Sequence, residues 1–212
     1  MRQRLLALPA TGLLLAGAWL VTQGPEQTAE ARPASSAALS AFADHTYTVD
    51  SVHSGVVFRI MHMGASPFWG RINDPSGTIN FDPDDLASAS FDVSVKVDNI
   101  YSGNDKRDTH LKSNDFFAAK QFPSIAFKSD SVKKGDKPGM YTLTGELDLH
   151  GVKKPITAHA EWFGRKDSGR GVKAGFEVTF TIQRSDFGMT TYIDEGGLGD
   201  EVKLICGFEL NG

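Results

Sequence analysis

The chain has 212 residues, a length that suits one domain behind an N-terminal extension. With 40% hydrophobic and 23% charged residues its composition is that of an ordinary soluble globular protein. A net charge of -4 speaks against nucleic acid as a partner and gives no electrostatic reason to sit on anionic lipid. A lone cysteine excludes an intramolecular disulfide, so stability must come from the core.

Residues 1–31 have the pattern of an export signal. Arg2 and Arg4 supply positive charge, Leu5 to Val21 is mostly apolar, and Ala29-Glu30-Ala31 fits cleavage after Ala31. The alternative is a retained membrane anchor, but Pro9, Thr11 and Gly12 interrupt the run and it is short for a span. Leu15-Ala16-Gly17 is followed by Ala18, so a lipid cannot be attached there through a cysteine. Residues 32–45, without apolar period, are expected to be a flexible linker, and residues 46–212 to form the folded domain.

From Thr46 onward, stretches of alternating apolar and polar residues follow almost without a break. Alternation sends successive side chains to opposite faces, the pattern of half-buried strands. Strand one runs from Thr46 to about His62, with Val56, Phe58 and Ile60 on one face and Arg59 on the other. Strand two is expected over Trp69 to Phe81, bent near Asp74-Pro75-Ser76-Gly77. Strand three carries Phe91, Val93, Val95 and Val97 inward. Strand four carries Ile125, Phe127 and Ser129, and strand five Tyr141, Leu143, Gly145, Leu147 and Leu149. After a reversal at Gly151, strand six carries Ile156, Ala158, Ala160 and Trp162. Strand seven carries Phe176, Val178, Phe180 and Ile182, and strand eight Val202, Leu204, Cys206, Phe208 and Leu210. The exception is Ser102 to Phe117, polar and without alternation, where Asn104 can cap a short helix and Leu111, Phe116 and Phe117 can anchor it to a barrel rim.

An all-β chain of eight antiparallel strands with one apolar face can bury that face by closing into a barrel. The inward residues are uneven in size: aromatics alternate with Ser54, Ser129, Gly145, Ala158 and Ala160. A solid barrel can use that mixture to fit its taper, and a hollow one can use it to line a cavity, so alternation leaves both open.

Four ordered segments carry a family resemblance. They are Tyr47-Thr48-Val49-Asp50-Ser51-Val52-His53-Ser54-Gly55-Val56-Val57-Phe58; Arg107-Asp108-Thr109-His110-Leu111-Lys112-Ser113-Asn114-Asp115-Phe116-Phe117 with Phe122 to Ser129; Leu147-Asp148-Leu149-His150-Gly151-Val152-Lys153-Lys154-Pro155-Ile156-Thr157; and Ile182-Gln183-Arg184-Ser185-Asp186-Phe187-Gly188 with Asp200-Glu201-Val202. In order and spacing, across residues 46 to 210, the chain resembles the YceI-like family of polyisoprenoid-binding, lipocalin-like exported proteins. The resemblance implies an eight-stranded antiparallel lipocalin-like barrel with a short helix near one end. It also implies an interior that takes a long apolar chain; it does not imply catalysis. Many members carry a longer apolar stretch where this chain has Met189 to Gly199, so the rim and the head group it meets differ here.

On that resemblance the expected lining is Val56, Phe58, Val93, Phe127, Leu147, Trp162, Phe180 and Phe208, with Arg107 and His110 meeting a polar head group at the mouth. The bland alternative for each apolar residue is that it is simply core. The expected ligand is an isoprenoid, such as a polyprenyl quinone, or a fatty acyl lipid; no covalent cofactor is expected. Transient approach to a membrane and pairing of two copies are compatible with such a carrier. None of the six histidines makes a His-Glu-x-x-His pair, and Met61 and Met63 point away from His62, so no metal site is expected. No Gly-x-Ser-x-Gly elbow occurs, Cys206 sits on an inward apolar face, and Arg107–Asp108 and Arg184–Asp186 look like charge pairs that pin loops. Two rivals stand beside the carrier: an enzyme or enzyme accessory acting on such a lipid, and a filled barrel acting as a stress or interaction protein.

Overall fold

The computed structural model describes residues 45–212. The export signal expected over 1–31, and the linker but for His45, lie outside the described residues. Eleven strands and one helix follow: β1 (Thr46–Val49), β2 (Gly55–His62), β3 (Ser66–Asn73), β4 (Ser76–Asp82), β5 (Asp85–Lys96), β6 (Ile100–Tyr101), α1 (Asp105–Leu111), β7 (Ser124–Lys134), β8 (Met140–Leu149), β9 (Val152–Asp167), β10 (Val172–Gln183) and β11 (Leu198–Asn211).

Every pairing is antiparallel, and the order follows the chain. β1 and β2 lie end to end along β11, where Val49 faces Leu210 and Gly55 faces Gly207. β4 and β3 lie end to end along them, and β5 and β6 along those in turn. Read as three interrupted strands and five continuous ones, these are the eight staves of a closed up-and-down barrel.

The interruptions have local causes. After β1 the Asp50 carboxylate accepts from the backbone N–H of Val52 at 3.1 Å and turns the chain. Between β3 and β4, Asp74 takes a left-handed φ of 54° ahead of Pro75, at the bend expected there. β3 and β5 each begin earlier than the alternation suggested, at Ser66 and Asp85. The β8–β9 reversal is a two-residue turn in which His150 and Gly151 both have positive φ. Asn104 caps α1 as expected, accepting from the N–H of Arg107 at 3.0 Å.

The two ends of the barrel are filled differently. At the end holding β1, β4 and the start of β10, aromatic rings interlock. Phe81 meets Tyr141 at 4.9 Å, Trp162 at 5.0 Å and Phe176 at 4.9 Å, mostly edge to face. Tyr47, Phe91, Leu143 and Leu210 close this end and are fully buried. Toward the other end Ile125, Phe127, Ile156, Phe180, Val202 and Leu204 also point inward, yet they are only half-buried. Inward apolar groups stay accessible only where they face empty space. The barrel is therefore packed at one end and hollow at the other.

The room does not come from most of the small inward residues that alternation singled out. A Cβ on Gly145 would lie 2.3 Å from the Lys128 carbonyl oxygen and 2.7 Å from the Phe127 ring, because β7 bulges onto β8 there. Ser129 accepts from the N–H of Phe91 at 2.8 Å, and Ala160 sits between Tyr141 and Val178 in the packed half. Ala158 does border the hollow.

Candidate ligand-binding cavity

The hollow half holds a cavity of about 330 Å³, within the range of small-molecule sites. Val56 and Phe58 of β2, Val93 of β5, Phe127 of β7, Leu147 of β8, Phe180 of β10 and Phe208 of β11 all border it, and Arg107 and His110 of α1 stand at its mouth. Trp162, the tenth residue expected there, stands apart. It lies two residues beyond Ala160 on β9 and meets Phe176 at a tilt, 4.6 Å between ring centres, in the packed half. The lining also takes in Ile60, Phe68, Ile125 and Leu204. Phe68 belongs to the part of β3 that the expected start at Trp69 left out; the signal was the alternation of Phe68, Gly70 and Ile72. Phe58 lies flat against β3 at Gly70, where a Cβ would come within 2.2 Å of the ring, so any larger residue would push Phe58 into the hollow.

At the mouth, Arg107 and Asp108 do not pair with each other; both hold Ser102. Arg107 Nε donates to Ser102 Oγ at 2.8 Å and Nη2 to the Ser102 carbonyl at 2.6 Å, with the guanidinium 4.4 Å over the Phe68 ring. The Asp108 carboxylate accepts from the Ser102 N–H at 2.8 Å and from its hydroxyl. His110 Nε2 lies 2.9 Å from Asp115 Oδ2, and its ring meets Phe116 edge-on at 5.0 Å.

The segment Met189 to Gly199 forms the rest of the rim, held from within by Arg184. That side chain is 3% exposed and donates to the carbonyl oxygens of Gly199 (2.8 Å), Met189 (2.9 Å), Thr191 (2.7 Å) and Leu198 (3.2 Å). Burial pulls its pKa below the ordinary arginine value, and the charge of Asp200 opposes that. Asp200 is itself fixed, accepting from the N–H and hydroxyl of Ser185 at 2.8 and 2.7 Å. Asp186 does not pair with Arg184; it points outward to Lys154 at 2.9 Å. Met189, Tyr192 and Leu198 of this segment border the cavity, and periodicity could not find them because the segment has none.

Cys206 also faces the cavity; burial pushes its thiol up to about 12. Outside the packed end, Asp50, His53 and Glu209 gather closely enough to suggest a cation site. The ammonium of Lys173 already serves there, 2.9 Å from Asp50 and 2.8 Å from Glu209. The chemical offer of the cavity is thus burial of an apolar chain, with a cation and an imidazole where the chain would emerge.

The model of the YceI-like domain matches residues 47–210. Protein YceI of Escherichia coli O6:H1 is 37% identical over 176 residues, 82% of this chain and 90% of that protein. The Campylobacter jejuni YCEI protein, a solved structure, superposes with a TM-score of 0.64 at 34% identity, over 78% of this chain and 97% of that one. A polyisoprenoid binding domain from Saccharophagus degradans shares the fold with a TM-score of 0.60 at 14% identity, over 78% of this chain and 98% of that one.

Proposed function

The chain belongs to the YceI-like family, and from that premise we propose that it is a binding protein that sequesters or carries a long-chain isoprenoid, such as a polyprenyl quinone, or a fatty acyl lipid. The observation that carries this reading is the half-hollow barrel: a cavity walled by apolar side chains, with Arg107 and His110 at its mouth. The structural neighbour named for polyisoprenoid binding has the same barrel fold. Each Å² of apolar chain taken from water contributes about 25 cal/mol, so burial alone drives affinity and no covalent step is needed. The chain enters tail first and stops at the aromatic cluster around Phe81. A tail longer than the hollow half leaves its remainder at the mouth.

Organic extraction of the purified protein followed by mass spectrometry tests the reading. A lipid recovered in stoichiometric amount is the expected result. A protein that yields none, and takes up neither polyprenyl nor acyl lipids after delipidation, would sink it. Turnover of an added lipid would instead favour an enzyme.

Export is part of the same proposal, on the strength of the residues before Ala31. A secreted form whose intact mass begins at Arg32 is the expected product, and a retained Met1 would overturn it.

A further inference from the structure

The wall opposite the cavity side of β2, β3, β6 and β11 carries a feature the cavity does not use. The residues between the inward ones point outward, and the register lays them in two rows. In one, Ile205 faces Val57, Val57 faces Arg71 and Arg71 faces Tyr101. In the other, Lys203 faces Arg59 and Arg59 faces Trp69. Trp69 is 49% exposed and Tyr101 53%, high values for large rings on a barrel wall. Arg59, Arg71 and Lys203 make no ion pair among the described residues. The acids on this face of β11 are Glu201, two residues from Lys203, and Glu209, four residues beyond Ile205 and already held by the Lys173 ammonium at 2.8 Å. A chain of net charge -4 thus carries on this wall a patch that is basic and aromatic.

Exposed large apolar groups clustered together mark an interaction surface. Tryptophan and tyrosine interleaved with arginine and lysine match the interface of a bilayer, where rings sit at headgroup depth and cations meet phosphates. We propose that this wall docks the protein on an anionic phospholipid bilayer. The wall and not the rim makes the contact, because Asp194 and Glu195 in the rim segment would be repelled. Phe68, the neighbour of Trp69, borders the cavity, so docking brings the bilayer to the outside of the cavity wall. The proposal rests on the outer face alone and stands apart from what the cavity holds.

Trp69 is its own probe. In the full chain with Trp19→Phe and Trp162→Phe, Trp69 is the remaining tryptophan. On vesicles of phosphatidylcholine with phosphatidylglycerol, its emission should shift to the blue and be quenched by brominated acyl chains. Phosphatidylcholine alone should leave it nearly unchanged, and added salt should reverse the effect. The difference spectrum between the full chain and Trp69→Phe reads the same signal with Trp162 intact. Combined Arg59→Glu, Arg71→Glu and Lys203→Glu should weaken partitioning at least about tenfold, whereas Lys128→Glu with Lys133→Glu on β7 should not. Unmoved Trp69 emission, equal binding to both vesicle types, or equal loss with the β7 variant would overturn the proposal. So would a wall variant that instead changes the oligomeric state in the absence of vesicles, which would assign the surface to a second copy.

Discussion

Two residues of the cavity make opposite use of burial. Cys206 is neutral at physiological pH because the surrounding wall disfavours its thiolate, with the pKa pushed up to about 12. Alkylation by a small apolar maleimide should therefore keep accelerating past pH 9, where an ordinary thiol has already levelled off. A lipid in the cavity should block it. Intact-mass labelling checks both, and equal labelling with and without lipid would place the ligand elsewhere. Arg184 is buried as a cation because four carbonyl oxygens of the rim surround it. Arg184→Met keeps the volume and removes every donor, leaving those acceptors without a partner. Stability should fall by at least about 2 kcal/mol. The fall should be accompanied by faster amide hydrogen exchange across residues 189–199, measured by mass spectrometry. Exchange unchanged there would mean that Arg184 does not hold the rim.

At the scale of elements, the broken first stave is fastened where β1 gives way to β2. Hydrogen bonding from His53, and then from Lys173, holds the Asp50 carboxyl well below the usual carboxylate range. A carboxyl with a depressed folded-state pKa stabilises the fold above its unfolded value of about 3.9, and that contribution is lost as pH falls below it. The melting temperature should therefore exceed that of Asp50→Asn at neutral pH, and the gap should narrow progressively as the pH falls below about 4. A gap that does not narrow in acid would assign the difference to geometry and not to charge. Most of these elements are legible in the sequence because strand alternation and the Asn104 cap are local signals. Position along the barrel axis is not local. Trp162 and Phe180 alternate in the same way on neighbouring strands, but the stagger between strands puts one in the packed half and the other on the cavity. Likewise Arg184 and Asp186 look like partners two residues apart. The 3-10 turn that carries them sends one side chain inward and the other out to Lys154.

Over the whole molecule, the division of the barrel separates the residues that hold it together from those that leave it room. The packed half gains edge-to-face aromatic contacts and full burial around Phe81. The hollow half gives up part of the dispersion its lining would have in a solid core, and a bound chain restores it. These contributions should separate by mutation. Phe81→Ala opens a void among four rings and should cost about 3–5 kcal/mol, measured by denaturant unfolding, while the folded protein still takes up lipid. Leu204→Trp, by contrast, adds bulk where the wall is only half-buried. Filling that space should leave stability unchanged or raise it by about 0.5–2 kcal/mol, while lipid uptake drops at least tenfold, ~1.4 kcal/mol of binding. Lipid should raise the melting temperature of Phe81→Ala but not of Leu204→Trp, because a ligand stabilises only the fold that binds it. If Leu204→Trp retained both uptake and the ligand-induced shift, the chain would have to bind outside this hollow, and the open half of the barrel would be a packing defect instead of a site.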